Sequence, residues 1–342
     1  MTKIQDILSS GKIKIGSIQT EPNDNVLILD GTNRYKSCFI RASEINDNGY
    51  YVGGYIGFLK SLAYIIRTIA PSRIVIVFDG AGGSMRRKKI YNEYKSNRSK
   101  IKKYNREMSS DGVNEEESLI LQFKRLLDYL YSLPVTIITI DNIEADDTIA
   151  YIKTNMQYNK CVIVSNDKDF CQLIDDGRCT VFDPISKTII NQSTLIEKYN
   201  CSPKNFIYYK ALLGDVSDNI NGVKGIGKKT ISSKFDFLSR LERIEIDEFY
   251  DLLDEKTFNK LNDDIDVFAR NIDLMDLSSP IIDVKSTMTI RNLFTDFKYT
   301  NRLDLLTLKQ YIVNDGVTGS FRQFDKWVID SFGRLDYILN KI

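Results

Sequence analysis

Seven carboxylates sit just past four short apolar runs of the sequence. Asp30 follows Val26–Leu29, Asp79 follows Ile74–Phe78, Glu144, Asp146 and Asp147 follow Val135–Ile140, and Asp167 and Asp169 follow Cys161–Val164. A single aspartate in such a place is ordinarily a turn or helix-capping residue. Seven at consecutive run ends carry more weight, because parallel strands bring their carboxyl ends to one edge, where open α/β sheets bind ligands. Two carboxylates ~4 Å apart repel by about 1 kcal/mol in water and by several times that when partly buried. Such a cluster needs bound cations, and an all-oxygen donor set selects hard ions, Mg²⁺ with Mn²⁺ as the alternative. Calcium is not favoured, since no Asp-x-Asp-x-Asp-Gly loop occurs at these positions. More acids than one octahedral shell requires point to two ions, the arrangement that supports in-line phosphodiester hydrolysis.

Elements that could position these acids are visible around them. The four runs are apolar throughout, as expected of strands covered on both faces. Helical stretches lie between them: Tyr55–Ile69, closed by Pro71; Glu115–Tyr131, closed by Pro134; and Ile143–Met156. The alternation predicts an α/β fold, a mostly parallel central sheet with helices on both faces.

Composition narrows the chemistry. The chain has 342 residues, 47 basic and 46 acidic, for a formal charge of +1. With 42% hydrophobic and 27% charged residues it is expected to form a substantial core. It contains no histidine, which excludes Ser-His-Asp and Cys-His triads and the HExxH zinc site. Five cysteines without a CxxC spacing argue against a disulfide framework and a structural zinc. No apolar run reaches the ~18 residues of a membrane span, so a cytoplasmic monomer is expected, with no membrane partner.

Two basic segments point to a polyanion. Between Arg86 and Arg106 ten cations face one acid, Glu93, with Tyr91, Tyr94 and Tyr104 interleaved as base-stacking platforms. The second is Gly222-Val-Lys-Gly-Ile-Gly227, followed by Lys228 and Lys229. Glycines just before a helix turn backbone amides toward phosphate, and Lys224, Lys228 and Lys229 add charge.

Five linked segments then resemble one family. They are Phe78-Asp-Gly followed by Arg86; Tyr94-Lys-Ser-Asn-Arg98; Ile143-Glu-Ala-Asp-Asp147; Val164-Ser-Asn-Asp-Lys-Asp-Phe-Cys-Gln-Leu173; and Leu213-Gly-Asp-Val-Ser-Asp-Asn219 with Gly222 to Gly227. In order and spacing, from about residue 26 to about residue 240, they resemble the 5′-nuclease family. That family comprises flap endonucleases, the 5′-nuclease domain of bacterial DNA polymerase I, and bacteriophage 5′→3′ exonucleases including the phage-type ribonuclease H.

The resemblance implies a PIN-like 5′-nuclease core over residues 26–210, preceded by an extension over 1–25. It implies a helical arch over 83–118, a helix-hairpin DNA-binding subdomain over 211–300 and a helical tail over 301–342. It also assigns roles. Asp30, Asp79, Glu144 and Asp146 match ligands of a first metal, and Asp146, Asp167, Asp169 and Asp215 those of a second, supported by Asp147 and Asp218. Asp146 and Asp167 are the acids on which cleavage should depend most. Lys95 and Arg98 match the residues that steady the scissile phosphate, and Tyr94 a stacking position. Arg86, Arg87 and Lys88 join the DNA-binding set. Gly222, Gly225 and Gly227 match the hairpin turn that grips duplex backbone, with K⁺ bound there. The implied activity is Mg²⁺-dependent 5′→3′ exonuclease and flap endonuclease cleavage, removing RNA primers and 5′ flaps in DNA replication. The implied substrates are branched or nicked DNA and RNA–DNA duplexes with a free 5′ end, with single-strand DNA-binding protein as a partner and, for a phage protein, the host cytoplasm as its location. Two rival readings remain at this point: a single-strand ribonuclease of the toxin type, and a structure-specific DNA-binding protein without catalysis. The aromatic residues from Phe321 to Tyr337, at roughly helical spacing, suit a packed helix better than a docking surface.

Overall fold

The computed structural model describes residues 21–97 and 115–342. The first half alternates strand and helix: β1 (Asn25–Asp30), α1 (Gly31–Arg41), α2 (Gly53–Ile69), β2 (Arg73–Asp79), α3 (Met85–Ile90), α4 (Glu115–Tyr131), β3 (Thr136–Ile140), α5 (Ala145–Asn155) and β4 (Lys160–Val164). Next come β5 (Cys179–Asp183), β6 (Thr188–Ile190), α6 (Gln192–Tyr199) and α7 (Phe206–Leu213). A two-stranded hairpin, β7 (Gly214–Asp215) and β8 (Ile220–Asn221), leads to α8 (Lys228–Lys234), α9 (Ile246–Asp251), α10 (Glu255–Asn262), α11 (Ile265–Met275), α12 (Val284–Thr295), α13 (Leu305–Asn314) and α14 (Phe324–Leu339).

The six-stranded sheet has the order β3-β2-β1-β4-β5-β6. Every neighbouring pair is parallel except β5 with β6. Side chains alternate across it, as the two-residue repeat of a strand requires. Val26, Ile28, Val75 and Val77 enter a core shared with α5, α7, α11 and α12. Leu27, Leu29, Ile74 and Ile76 enter the opposite core, shared with α2, α4 and α14. The sequence pattern located the first four strands. It did not assign β5 and β6, because Thr180 and Lys187 interrupt the apolar signal there.

Local chemistry fixes the strand-to-helix turns. Asp30 ends β1 and caps α1, its side chain accepting from the Asn33 amide at 3.0 Å. Helix α5 begins at Ala145, not at Ile143 as expected, because Glu144 is extended and occupies the capping position. Gly80 is required for close approach, since a Cβ there would lie 1.7 Å from the Ile140 carbonyl oxygen. Residues 301–342 lie against the sheet's second core: Phe321, Val328, Phe332 and Leu335 are buried, and Arg67 on α2 donates to Ser331 at 2.6 Å. Among the described residues no helix is long and apolar enough to cross a membrane.

Of the expected arch, α3 and the turns to Asn97 are described, as is α4. The expected phosphate-steadying residue Arg98 and most of the arch lie outside the described residues, as does most of the 1–25 extension.

Candidate active site

The carboxyl ends of β1, β2 and β4, the start of α5 and the β7–β8 hairpin open on one cleft of about 650 Å³. Asp30, Asp79, Asp146, Asp167 and Asp215 line it, together with Lys95 and Lys210. Four of the five acids are oriented by hydrogen-bond donors. The Ser165 hydroxyl donates to Asp30 at 3.0 Å, and the Ala145 amide donates to Asp79 at 2.8 Å. The Asp169 amide donates to Asp167 at 2.9 Å. Asp215 receives the Ser217 amide at 2.8 Å and the Ser217 hydroxyl at 2.6 Å.

Two lysines bracket the acids. Lys210, on α7, lies 2.9 Å from Asp169 and 2.8 Å from Asp215. Lys95 pairs with Glu144 and lies 3.9 Å from Asp218. Its backbone is left-handed, φ +57°, and is pinned by donation of its amide to the Asp218 carbonyl at 2.8 Å. A non-glycine residue held there marks a position that the surrounding structure over-determines.

Electrostatics divides the acids into two groups. Burial, then the nearby Asp79 and Asp167 charges, push the Asp30 carboxyl up to about 7. Burial with Asp167 and Asp30 pushes Asp146 well above the usual carboxylate range. Burial likewise carries Asp169 up to about 7, although Lys210 opposes it. Burial alone would also raise Glu144 and Asp215, yet Lys95 and Arg87 hold Glu144 below its ordinary value, and Lys210 does the same for Asp215. The centre of the cleft therefore carries like charges that its own cations do not balance.

The structure moves several expected residues out of the cleft. Arg87, expected on DNA, is buried: it lies 2.7 Å from Glu144 and 2.6 Å from Asp147 and donates to the Leu274 carbonyl at 2.8 Å. A guanidinium brought into that apolar layer needs both carboxylates to remain charged. Asp147, expected near a metal, faces this layer and also accepts from the Ile281 amide at 3.0 Å. Tyr94, expected to stack on a base, is 3% exposed, with its hydroxyl 3.1 Å from Glu144 and 3.3 Å from Asp218. These three residues support the cleft from behind. Arg86 pairs with Asp283 at 2.6 Å, while Lys88 is exposed.

At the glycine turn, Lys224, Lys228 and Lys229 are exposed, as are Gly225 and Gly227. Gly222 serves packing, because a Cβ there would meet the Leu213 carbonyl oxygen at 2.3 Å. Sequence reasoning missed Lys210. Its signal is that it is the one charge in the apolar helix FIYYKALL.

The sequence profile of the 5′-3′ exonuclease N-terminal resolvase-like domain matches residues 25–200, the span that carries the strand-end acids. The chain belongs to the 5′-3′ exonuclease family. A 5′-3′ exonuclease of Buchnera aphidicola subsp. Acyrthosiphon pisum is 32% identical over 226 residues, covering 65% of this chain and 73% of the relative. DNA polymerase I of Thermus thermophilus is 30% identical over 213 residues, 61% of this chain but 24% of the polymerase. The bacteriophage T5 D15 flap endonuclease, solved as a pseudo-enzyme–product complex with DNA and metal ions, shares the fold with a TM-score of 0.56. The two are 22% identical, and the alignment covers 85% of this chain and 97% of that one. T5 5′-exonuclease with bound zinc gives a TM-score of 0.55 at 23% identity, covering 85% and 98%.

The donor set of this 5′-3′ exonuclease family member suits hard divalent cations. Its cleft acids are all oxygen donors, and three carboxyls are raised by crowding and burial. Among the described residues no three His, Cys, Asp or Glu side chains are close enough together to hold one metal ion as they stand.

Proposed function

We propose that this 5′-3′ exonuclease family member is a Mg²⁺-dependent 5′→3′ exonuclease and flap endonuclease that removes RNA primers and 5′ flaps during DNA replication. The observation that carries the reading is the convergence of Asp30, Asp79, Asp146, Asp167 and Asp215 with Lys95 and Lys210 in one cleft. Two divalent ions held by these acids, with Asp169 and Glu144 beside them, would supply positive charge for in-line phosphodiester hydrolysis. The protein's own part is positioning and electrostatics. Lys95, on a pinned backbone, presents its ammonium to the scissile phosphate, and Lys210 keeps Asp169 and Asp215 together without collapse. Asp147, Asp218, Arg87 and Tyr94 hold Glu144 and Lys95 in place. The reading requires no imidazole base, which agrees with the absence of histidine.

Substrate grip comes from the exposed lysines of the Gly222–Gly227 turn and from the basic segment beginning at Arg86. K⁺ at that turn is part of the proposal; Asp264 stands beside the turn and accepts from the Lys224 amide at 2.7 Å. The protein works as a cytoplasmic monomer, in a host cell if it is of phage origin, next to single-strand DNA-binding protein. The deciding experiment uses a labelled 5′-flap duplex, a nicked duplex and an RNA–DNA hybrid, each with and without Mg²⁺. Metal-dependent cleavage at the flap junction or 5′ end supports the reading. Cleavage of RNA alone favours a toxin-type ribonuclease, and binding without products favours a non-catalytic DNA-binding protein.

A further inference from the structure

All five cysteines are free and buried, and four of them, Cys161, Cys171, Cys179 and Cys201, share one core. A buried thiol is ordinarily a small apolar filler. Cys161 and Cys179 are more than that, because they are register partners on the adjacent parallel strands β4 and β5. Neighbouring strands lie ~4.8 Å apart, within the ~4.4–6.8 Å between Cα atoms that a disulfide bridges. Both thiols enter the same core, so they leave the sheet on the same face.

Their surroundings favour reaction. Burial pushes the Cys38, Cys171 and Cys201 thiols up. Cys161 goes down instead, because hydrogen bonding with Cys179 outweighs burial and Tyr158 adds to it. Both thiols also lie at the amino end of the sheet, directly behind exposed residues: Lys160 precedes Cys161, and Asp176, Gly177 and Arg178 precede Cys179. That end is fastened by the Cys161 amide donating to the Arg178 carbonyl at 2.8 Å and the Asp175 amide donating to the Cys179 carbonyl at 3.2 Å. Lys153 pairs with Asp175 at 3.1 Å, and the Arg178 guanidinium lies 5.5 Å from the Tyr158 ring centroid. Local opening of this short turn admits a reagent without unfolding the strand ends that carry the acids.

We propose that Cys161 and Cys179 are a thiol–disulfide exchange site, at which a small disulfide oxidant closes a bond that staples β4 to β5. The Cys161 thiolate attacks one sulfur of the oxidant, forming a mixed disulfide and expelling the first thiolate. The Cys179 thiolate then attacks the Cys161 sulfur and expels the second. The two thiol protons and two electrons end on the oxidant, which becomes two thiols. Residues 162–178, with Asp167 and Asp169 among them, become a closed ring. The inference goes beyond the nuclease reading and does not depend on it.

The test uses the wild-type protein, incubated with oxidised glutathione in the absence of denaturant, quenched with iodoacetamide and mapped by mass spectrometry without reduction. The expected product keeps three of the five thiols and yields one linked peptide pair, Cys161 with Cys179. Its melting midpoint in EDTA should stand about 5 °C above that of protein kept in dithiothreitol. Cys179→Ala should show neither the link nor the rise. Where that variant does not fold, the wild-type map and midpoint decide alone. Five remaining thiols, a link through Cys38, Cys171 or Cys201, a glutathione adduct that never closes, or a closed bond with no rise in midpoint overturns the proposal.

Discussion

Charge is buried at both ends of the central sheet, and the two ends handle it in opposite ways. At the amino end Arg73 is 2% exposed and has no carboxylate partner among the described residues. Its guanidinium lies 4.5 Å from the Phe294 ring centroid and 4.3 Å from that of Phe297, and it donates to Asn23 and Thr136. Burial lowers its pKa to about 10. At the carboxyl end Asp30, Asp146 and Asp167 crowd together, while Lys95 pairs with Glu144 and Lys210 with Asp169 and Asp215 at the flanks. The fold can therefore hold a lone charge with aromatic faces and neutral acceptors. The crowded acids at the other end have no such neutral shell, and their repulsion is a cost that a bound cation would remove.

This contrast can be broken at either end. The largest effect is expected for Asp146→Asn, which should slow cleavage by about a thousandfold while leaving DNA affinity nearly intact. Single-turnover rates beside anisotropy check it, and a variant that still cuts at the normal rate would make the acids structural. Lys210→Met leaves Asp169 and Asp215 facing each other, so the metal-free protein should lose about 3–5 kcal/mol in urea unfolding. Saturating Mn²⁺ should recover most of that loss, and a deficit insensitive to metal would show that Lys210 serves packing alone. For Lys95→Ala the expected drop is about thirtyfold in the chemical step, with a smaller change in affinity. A defect confined to affinity would remove Lys95 from the reaction.

Acidity sharpens the comparison further. Asp30 and Asp169 sit near 7 when folded, against an ordinary 3.8. The folded state then binds more protons than the unfolded one, so metal-free stability should fall as pH rises from about 4 to about 7. Melting curves in EDTA should shift down by a few degrees across that range, and Asp30→Asn should flatten the slope. The smallest effect is expected at the amino end. Arg73→Met keeps the volume and removes the charge, so stability should change by less than about 1.5 kcal/mol and cleavage not at all. A loss of activity there would mean that the two ends are coupled.

Asp30, Asp79, Asp146 and Asp167 were legible in the sequence because each follows a β-branched apolar run, and strand direction brings such positions to one edge; Asp215 came only with the family resemblance. The family was legible because three of its segments are those strand ends and the other two, Tyr94–Arg98 and Leu213–Gly227, stand in matching order and spacing. Arg87 and Tyr94 were misplaced because a strongly basic segment does not reveal which of its members turns inward. That depends on Glu144 and Asp147, more than fifty residues away, and on the Leu274 carbonyl. Lys210 was hidden by its surroundings: a lysine in an apolar helix becomes meaningful only once Asp169 and Asp215 are seen on either side. Gly222 was read as a ligand contact, whereas the neighbouring Leu213 backbone is what excludes a side chain.

The hairpin carrying Asp215 and Asp218 is stitched to the segment that leads out of α3. Asn97 donates to the Val216 carbonyl at 2.8 Å, Asn219 donates to the Glu93 carbonyl and to the Ser96 hydroxyl at 3.0 Å each, and the Lys95 amide donates to the Asp218 carbonyl. Four bonds in so short a seam tie the backbone that carries Lys95 to the hairpin that carries Asp215 and Asp218, so a change in the length of either segment is felt in the cleft.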